Sequence, residues 1–245
     1  MSQVPEVLGQ PIRPRSARAE ALARTRLDSL VKPLGALGRL EDVAAWLCGA
    51  QDRCPPSPVD RIRVVILAGD HGVAAEGVSA YPREVTAAMV GTFLSGKAGV
   101  SVLARGHGAT VRVLDLGVLV DLPDVGAFKV RQGSGSISTV DALTAEETAR
   151  ALAAGAAIAD EEIAAGADLL ITGDMGIGNT TVAAALVAAT LGLDAAEVAG
   201  TGTGISAAGM ANKTAVLSRA LARPRGAEPF AVLAALGSAD AAATV

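Results

Sequence analysis

A glycine-rich turn between an apolar run and a helical pattern constrains this chain more than any other feature. Asp168–Thr172 reads as a strand, Gly173–Asn179 as a loop and Thr180–Leu191 as a helix. Strand, glycine loop and helix in that order aim backbone N–H groups and a helix N-terminus at one point, which suits an anion. Asn179, Thr180 and Thr181 can add side-chain donors. A tight turn that simply needs small residues would read the same way, and both readings stand. No Gly-Lys-Ser/Thr follows, so this is no nucleoside triphosphate cradle, and the glycine spacing does not fit the dinucleotide fingerprint.

The alternation recurs along the chain. Val64–Ala68 reads as a buried parallel strand, and Pro82 is placed to open a helix over Arg83–Leu94. Thr110–Leu114 reads as a second strand. Thr144 and Glu147 form a capping box for a helix over Ala145–Ala165. Gly200–Gly204 opens a helix over Ser206–Ala222, and Phe230–Leu236 is a last helical piece. This order predicts an α/β fold with a mostly parallel sheet flanked by helices. Two helices, Arg18–Leu30 and Leu40–Gln51, precede the stiff linker Pro55-Pro56-Ser57-Pro58 and are expected to pack beside it.

Composition closes off other classes. With 245 residues and 51% apolar content the chain can bury a real core, and it lacks the signature of disorder. A net charge of −4 and only 2% aromatics give neither a basic footprint for nucleic acid nor a stacking platform. Two cysteines, Cys48 and Cys54, rule out a disulfide scaffold and read as free thiols of a cytoplasmic protein. Met1–Ala19 carries charges and prolines where a signal peptide needs an apolar core. The uncharged stretch Met175–Leu193 is long enough for a bilayer but opens with glycines, and we read it as a buried helix, with no membrane partner.

In open α/β sheets ligands bind beyond the carboxyl ends of the strands. Asp70, Asp115 and Asp174 follow the three expected strands, and their convergence would mark a site; singly, each reads as a loop or helix cap. Gly200-Thr201-Gly202-Thr203-Gly204 repeats the donor-rich logic of the first loop. Lys213, about two turns along its helix, could reach back to a phosphate, although a solvated lysine is the better reading from sequence. Asp70 and His71 are neighbours whose side chains should diverge. His71 and His107 lack ligand spacing, so no metal is expected. Ser79 sits in no nucleophile elbow. Trp46 and the cysteines read as packing.

Taken in order, several stretches resemble the nicotinate-nucleotide–dimethylbenzimidazole phosphoribosyltransferase family of cobalamin nucleotide-loop assembly. They are Leu27–Glu41, Ala68–Val73, Gly77–Pro82, Glu84-Val85-Thr86, Gly173–Thr181 and Gly202-Thr203-Gly204. The resemblance implies a homodimeric enzyme with a Rossmann-like large domain and a small helical domain. Its limits here would be 1–58 for the N-terminal part of the small domain, 59–225 for the α/β phosphoribosyl-binding domain and 226–245 for the start of an incomplete C-terminal helical region. The reaction implied moves phosphoribose from nicotinate mononucleotide to 5,6-dimethylbenzimidazole, giving α-ribazole 5′-phosphate and nicotinate, and needs no cofactor. By the resemblance, Gly176, Ile177, Gly178, Asn179, Thr180, Gly202, Thr203, Gly204 and Lys213 would hold the ribose phosphate. Ser79, Tyr81 and Met175 would fall near the base, and the Asp174 carboxylate would stabilise charge developing at C1′.

Three departures accompany the resemblance. The family's usual general base, a Glu in a Glu-Gly-Ser/Thr-Gly segment, has no counterpart in this sequence. Asp174 stands where Glu is usual, and Ala88 where Gln is usual. The apolar ending Ala231–Val245 reads as uncapped, and the expectation is a chain cut short of its C-terminal segment. The competing reading is a nucleotide- or base-binding protein that kept the phosphate loops and lost the base. A nicotinamide-dependent oxidoreductase is a weaker third, since its Gly-x-Gly-x-x-Gly unit is missing.

Overall fold

The apolar runs expected as strands form one sheet. The computed structural model describes residues 11–223 and 228–245. Within them β1 (Ile62–Gly69), β2 (Thr110–Gly117) and β3 (Leu169–Met175) pair in parallel in the order β2-β1-β3. Helices α1 (Ala17–Asp28) and α2 (Arg39–Gln51) precede β1, and α3 (Val85–Leu94) and α4 (Gly99–Gly106) lie between β1 and β2. α5 (Ala145–Ala164) leads into β3; α6 (Asn179–Leu191), α7 (Ala195–Val198), α8 (Ala207–Leu221), α9 (Pro229–Leu236) and α10 (Ala239–Thr244) follow it. The fold is therefore α/β, a parallel three-stranded sheet flanked by helices.

Two compact units divide the described chain, one ending at Asp60 and the other formed by Arg61–Val245. The expected boundary at 225/226 lies outside the described residues, as do Met1–Gln10. In the larger unit β1 is buried on both faces, as a central parallel strand should be. Val65 and Leu67 join Leu114, Leu116, Ile158, Leu217 and Leu236 on one side; Val64, Ile66 and Ala68 join Val90, Val113 and Val118 on the other. Strand β3 is an edge, and it leaves Leu169 and Ile171 exposed. α10 packs against all three strands and α5. Its small residues allow this close approach: a methyl on Gly155 of α5 would lie 2.1 Å from the Ala243 carbonyl oxygen.

In the smaller unit Ala19, Ala23, Ala45 and Cys48 form the contact between α1 and α2. Lys32 and Glu41 pair at 2.8 Å, and Glu41 also accepts from the Leu37 amide at 3.2 Å, which ties the Pro/Gly turn to α2. Trp46 is half-exposed, like Leu40 and Val43 on the same helix, so it does not pack into the interior of this unit.

Several elements differ in extent from the sequence expectation. β3 continues through Met175 because Gly173, Asp174 and Met175 pair with Ile66, Leu67 and Ala68. Gly173 and Asp174 are thus strand residues rather than loop, and β2 likewise extends to take in Asp115. The short helices α4, α7 and α10 went unread; Gly99 and Gly106 at the ends of α4, and the four-residue length of α7, weaken any periodic signal. Within the stretch Ala231–Val245, Ser238 accepts from the Ala241 amide to start α10, a cap that the apolar pattern does not display. The stretch Met175–Leu193 is divided among strand end, loop and a 13-residue helix, too short to cross a bilayer. Another apolar run, Val85–Gly106, is 22 residues long but comprises α3, a turn and α4.

One polar cluster fixes the segment after β1. Glu76 accepts from the hydroxyls of Ser136 and Ser138 and pairs with Arg219 of α8 at 2.6 Å, while Asn212 donates to the Glu76 carbonyl at 2.7 Å. Burial opposes ionisation of Glu76, but the two serines and Arg219 outweigh it and hold its pKa below the usual value. Its stabilising contribution is then present above the ordinary Glu pKa and lost as pH falls through the lowered one. Glu76→Gln is expected to cost about 1–2 kcal/mol at pH 7. Urea midpoints of the two proteins should converge as the buffer is taken into acid.

Candidate active site

The strand order puts the site where it is. From β1 the chain crosses to β2 on one side, and β3 pairs on the other, so the order reverses at the carboxyl ends of β1 and β3; ligands bind at such switch points. Residues 70–79 leave β1 here, and Gly176–Asn179 leaves β3 to open α6.

Gly178, with φ +98°, is the N-cap of α6 and uses a backbone region that residues with a side chain rarely adopt. Gly176 is required for space. A methyl there would sit 2.1 Å from the Gly69 carbonyl oxygen and 2.4 Å from His71 Nε2. Gly176→Ala is expected to cost roughly 1–3 kcal/mol through overpacking. Differential scanning calorimetry should show Tm falling by about 2–4 °C for each kcal/mol lost.

The two glycine loops meet at Lys213. This side chain is only 1% exposed, which overturns its reading as a solvated lysine. From α8 its ammonium donates to Thr180 Oγ1 at 2.9 Å and to the Gly200 carbonyl at 3.0 Å. Burial lowers its pKa. The sequence signal was the helical spacing from Gly202–Gly204, and the missing information was that α6 packs on α8. Thr203 ties in a third segment: its hydroxyl lies 3.1 Å from Ser79 Oγ and accepts from the Ala80 amide at 2.9 Å.

These segments enclose a cavity of about 130 Å³ lined by Val78, Ser79, Met175, Gly176, Ile177, Gly178, Asn179, Thr180 and Thr203. That is below the usual 300–1,000 Å³ of a small-molecule pocket, so it suits one part of a ligand. A larger cavity of about 360 Å³ lies between the sheet and α5, lined by Val65, Leu67, Leu152, Ile158 and Leu170. It gathers none of the expected site residues, and the smaller, polar-rimmed cavity is the better candidate.

Not every expected residue joins this site. Tyr81 is 56% exposed and outside the cavity lining. The Ile177 amide is already taken by Thr86 Oγ1 at 3.1 Å. Thr181 is buried in α6 and is not a surface donor. The three carboxylates do not converge either. Asp70 accepts from the Leu119 amide at 2.9 Å; Asp115 accepts from the Val118 amide at 2.7 Å and pairs with Lys129 at 3.1 Å. Both are loop caps, the bland alternative, and burial raises the pKa of Asp115.

Asp174 has a different carboxylate neighbour, Asp240 of α10, which the sequence reading missed. His71, Asp174 and Asp240 offer one atom each within 4.8 Å of one another, and His71 Nε2 is 3.4 Å from Asp240 Oδ2. One imidazole and two carboxylates are the donor types of a cation site; the His71 ring lies directly against Asp240, and we read the group as a charge cluster. Burial disfavours the imidazolium, yet Asp240 more than offsets it and raises the His71 pKa. Asp240 ionises readily, to about 2, because His71 outweighs its burial. Desolvation of its carboxyl and then the Asp240 charge push Asp174 up to about 8. Asp174 is nevertheless exposed along the edge strand β3, so water moderates the desolvation, and the neighbouring Asp240 charge supports the upward direction.

The family model described as phosphoribosyltransferase matches residues 12–245. The chain belongs to this family. It is 58% identical over 236 residues to the nicotinate-nucleotide–dimethylbenzimidazole phosphoribosyltransferase of Mycobacterium avium (strain 104), covering 95% of this chain and 68% of that protein. The enzyme of that name from Mycobacterium tuberculosis (strain ATCC 25618 / H37Rv) is 56% identical over 237 residues, covering 95% of this chain and 66% of its own length. The crystal structure of CobT from Thermus thermophilus superposes with a TM-score of 0.88 at 48% identity, covering 92% of this chain and 68% of that one. This phosphoribosyltransferase-family chain thus spans about two thirds of the length of these relatives.

Proposed function

We propose that this phosphoribosyltransferase-family chain transfers phosphoribose from nicotinate mononucleotide to 5,6-dimethylbenzimidazole, releasing nicotinate, α-ribazole 5′-phosphate and a proton. The observation that carries this reading is the meeting of two glycine loops at one buried ammonium, beside a carboxyl group at the switch point. Lys213, Thr180, Asn179, Gly176, Gly178 and the 202–204 loop are assigned to the 5′-phosphate and ribose. Ser79 and Met175 are assigned to the base side. As the glycosidic bond breaks, positive charge develops at C1′ and nicotinate leaves with the bonding electrons. The ionised Asp174 stabilises that charge. The benzimidazole nitrogen attacks from the opposite face, and its N–H proton is then lost to a base.

The helical unit is assigned to a small domain, and the functional state to a homodimer. Exposed Leu34, Leu37, Leu40, Val43 and Trp46 support a covered surface on that unit. The competing reading is a protein of the same family that binds nucleotide without turnover.

A mass-resolved assay with both substrates, run beside calorimetry on the same sample, separates them. Nicotinate and α-ribazole phosphate in equal amounts support transfer; nicotinate mononucleotide binding with no product supports the competing reading. Failure to bind nicotinate mononucleotide would remove both.

A further inference from the structure

Behind the site lies a buried pair that the proposed reaction does not use directly. Asp240 has no exposed surface and His71 is 3% exposed. No hydrogen bond of ordinary geometry satisfies either ring nitrogen or either Asp240 oxygen. Buried carboxylates usually collect backbone or side-chain donors, whereas this one, in the first turn of α10, faces the imidazole at 3.4 Å. Space around the pair is closed on both sides: a methyl on Gly69 would lie 2.3 Å from Asp240 Oδ1, and one on Gly176 2.4 Å from His71 Nε2. The imidazole is therefore held between α10 and the first glycine of the α6 loop, with Asp174 in the same cluster.

Stability alone is a poor reason to keep such a pair. Desolvating two charges offsets most of their attraction, and an apolar pair of similar volume would serve the core as well. Its contacts give it another use. We infer that Asp240 is a positioning residue that seats the His71 imidazole against Gly176 and, lying in one cluster with Asp174, governs the carboxyl group of the candidate site. The inference rests on the assignment of Asp174 to that site. The charged groups facing His71 are Asp240 from α10, Asp174 from β3 and Asp70 next to it in the chain. Asp240 acts on Asp174 more strongly than His71 does, after desolvation. Removing its charge therefore lets Asp174 ionise earlier.

His71 and His107 are the only 2 histidines, so ¹⁵N imidazole spectra of the full chain are simple to assign. In the unmodified protein His71 should stay an imidazolium above the ordinary histidine range, and in Asp240→Asn it should be neutral at pH 7. Carboxyl ¹³C titration, with Asp174→Asn to assign the resonance, supplies the second reading. Asp240→Asn should lower the Asp174 midpoint by about one pH unit, a tenfold rise in its ionised fraction at pH 6. Asp240→Glu should restore both behaviours in part. A neutral His71 at pH 7 in the unmodified protein overturns the inference, whether or not the variant folds. An unmoved Asp174 midpoint in folded Asp240→Asn overturns it as well. Neither spectrum needs turnover, so a failed transfer assay counts against phosphoribosyl transfer alone.

Discussion

Lys213→Met is expected to fold and to bind nicotinate mononucleotide roughly 30- to 150-fold more weakly, a loss of about 2–3 kcal/mol. Methionine keeps the length and the apolar stem of the buried side chain and removes only the ammonium. That ammonium links Thr180 at the start of α6 to Gly200 before the second loop. Three effects then fall together. The phosphate loses a point charge, the Thr180 hydroxyl loses a donor, and the two glycine loops lose the contact that sets their spacing. Asn179→Ala removes one neutral group and should weaken binding by about fivefold to tenfold, in line with a single hydrogen bond of about 1–1.5 kcal/mol. Titration calorimetry at fixed salt reads both. Equal affinity in both variants and the unmodified chain would withdraw the phosphate assignment.

What the sequence displayed was local. The Thr144–Glu147 capping box and the apolar runs of β1 and β2 are written in neighbouring residues and took the expected form, and the glycine loop ahead of α6 did so from Gly176 onward. Asp240 had no such signal. Its partner His71 is far away in sequence, and α10 is a six-residue, alanine-rich helix with little periodicity. Lys213 was misread for the same reason: burial depends on α6 packing against α8, and a lysine seven residues into a helix looks solvated. Three Asp at strand ends looked like one site because topology brings strand ends together. Two of them instead cap the turns they start, since each finds a backbone amide within its own or an adjacent loop.

Asp174→Asn is expected to lower the rate of α-ribazole phosphate formation by about a hundredfold or more, and the unmodified protein should show a rate that rises with pH to a plateau above about 8. The charge cluster dictates the direction. With Asp240 ionised beside it, Asp174 gives up its proton at higher pH than an ordinary Asp, and only the ionised fraction can stabilise positive charge at C1′. Below the plateau the rate should fall about tenfold per pH unit, following that fraction. A carboxylate that ionises near the working pH is also better matched to accept the benzimidazole proton than an ordinary one, because a base is most effective when its pKa lies near that pH. Stability should respond in the opposite sense. The folded state holds the Asp174 proton between about pH 4 and pH 8 while the unfolded chain releases it, so this contribution is full below the ordinary Asp pKa and is lost as pH rises through about 8. Asp174→Asn should flatten that part of the stability curve while it removes the rise in rate. A rate profile that is flat from pH 6 to 9 in a protein that turns over would take the charge-stabilising role away from Asp174.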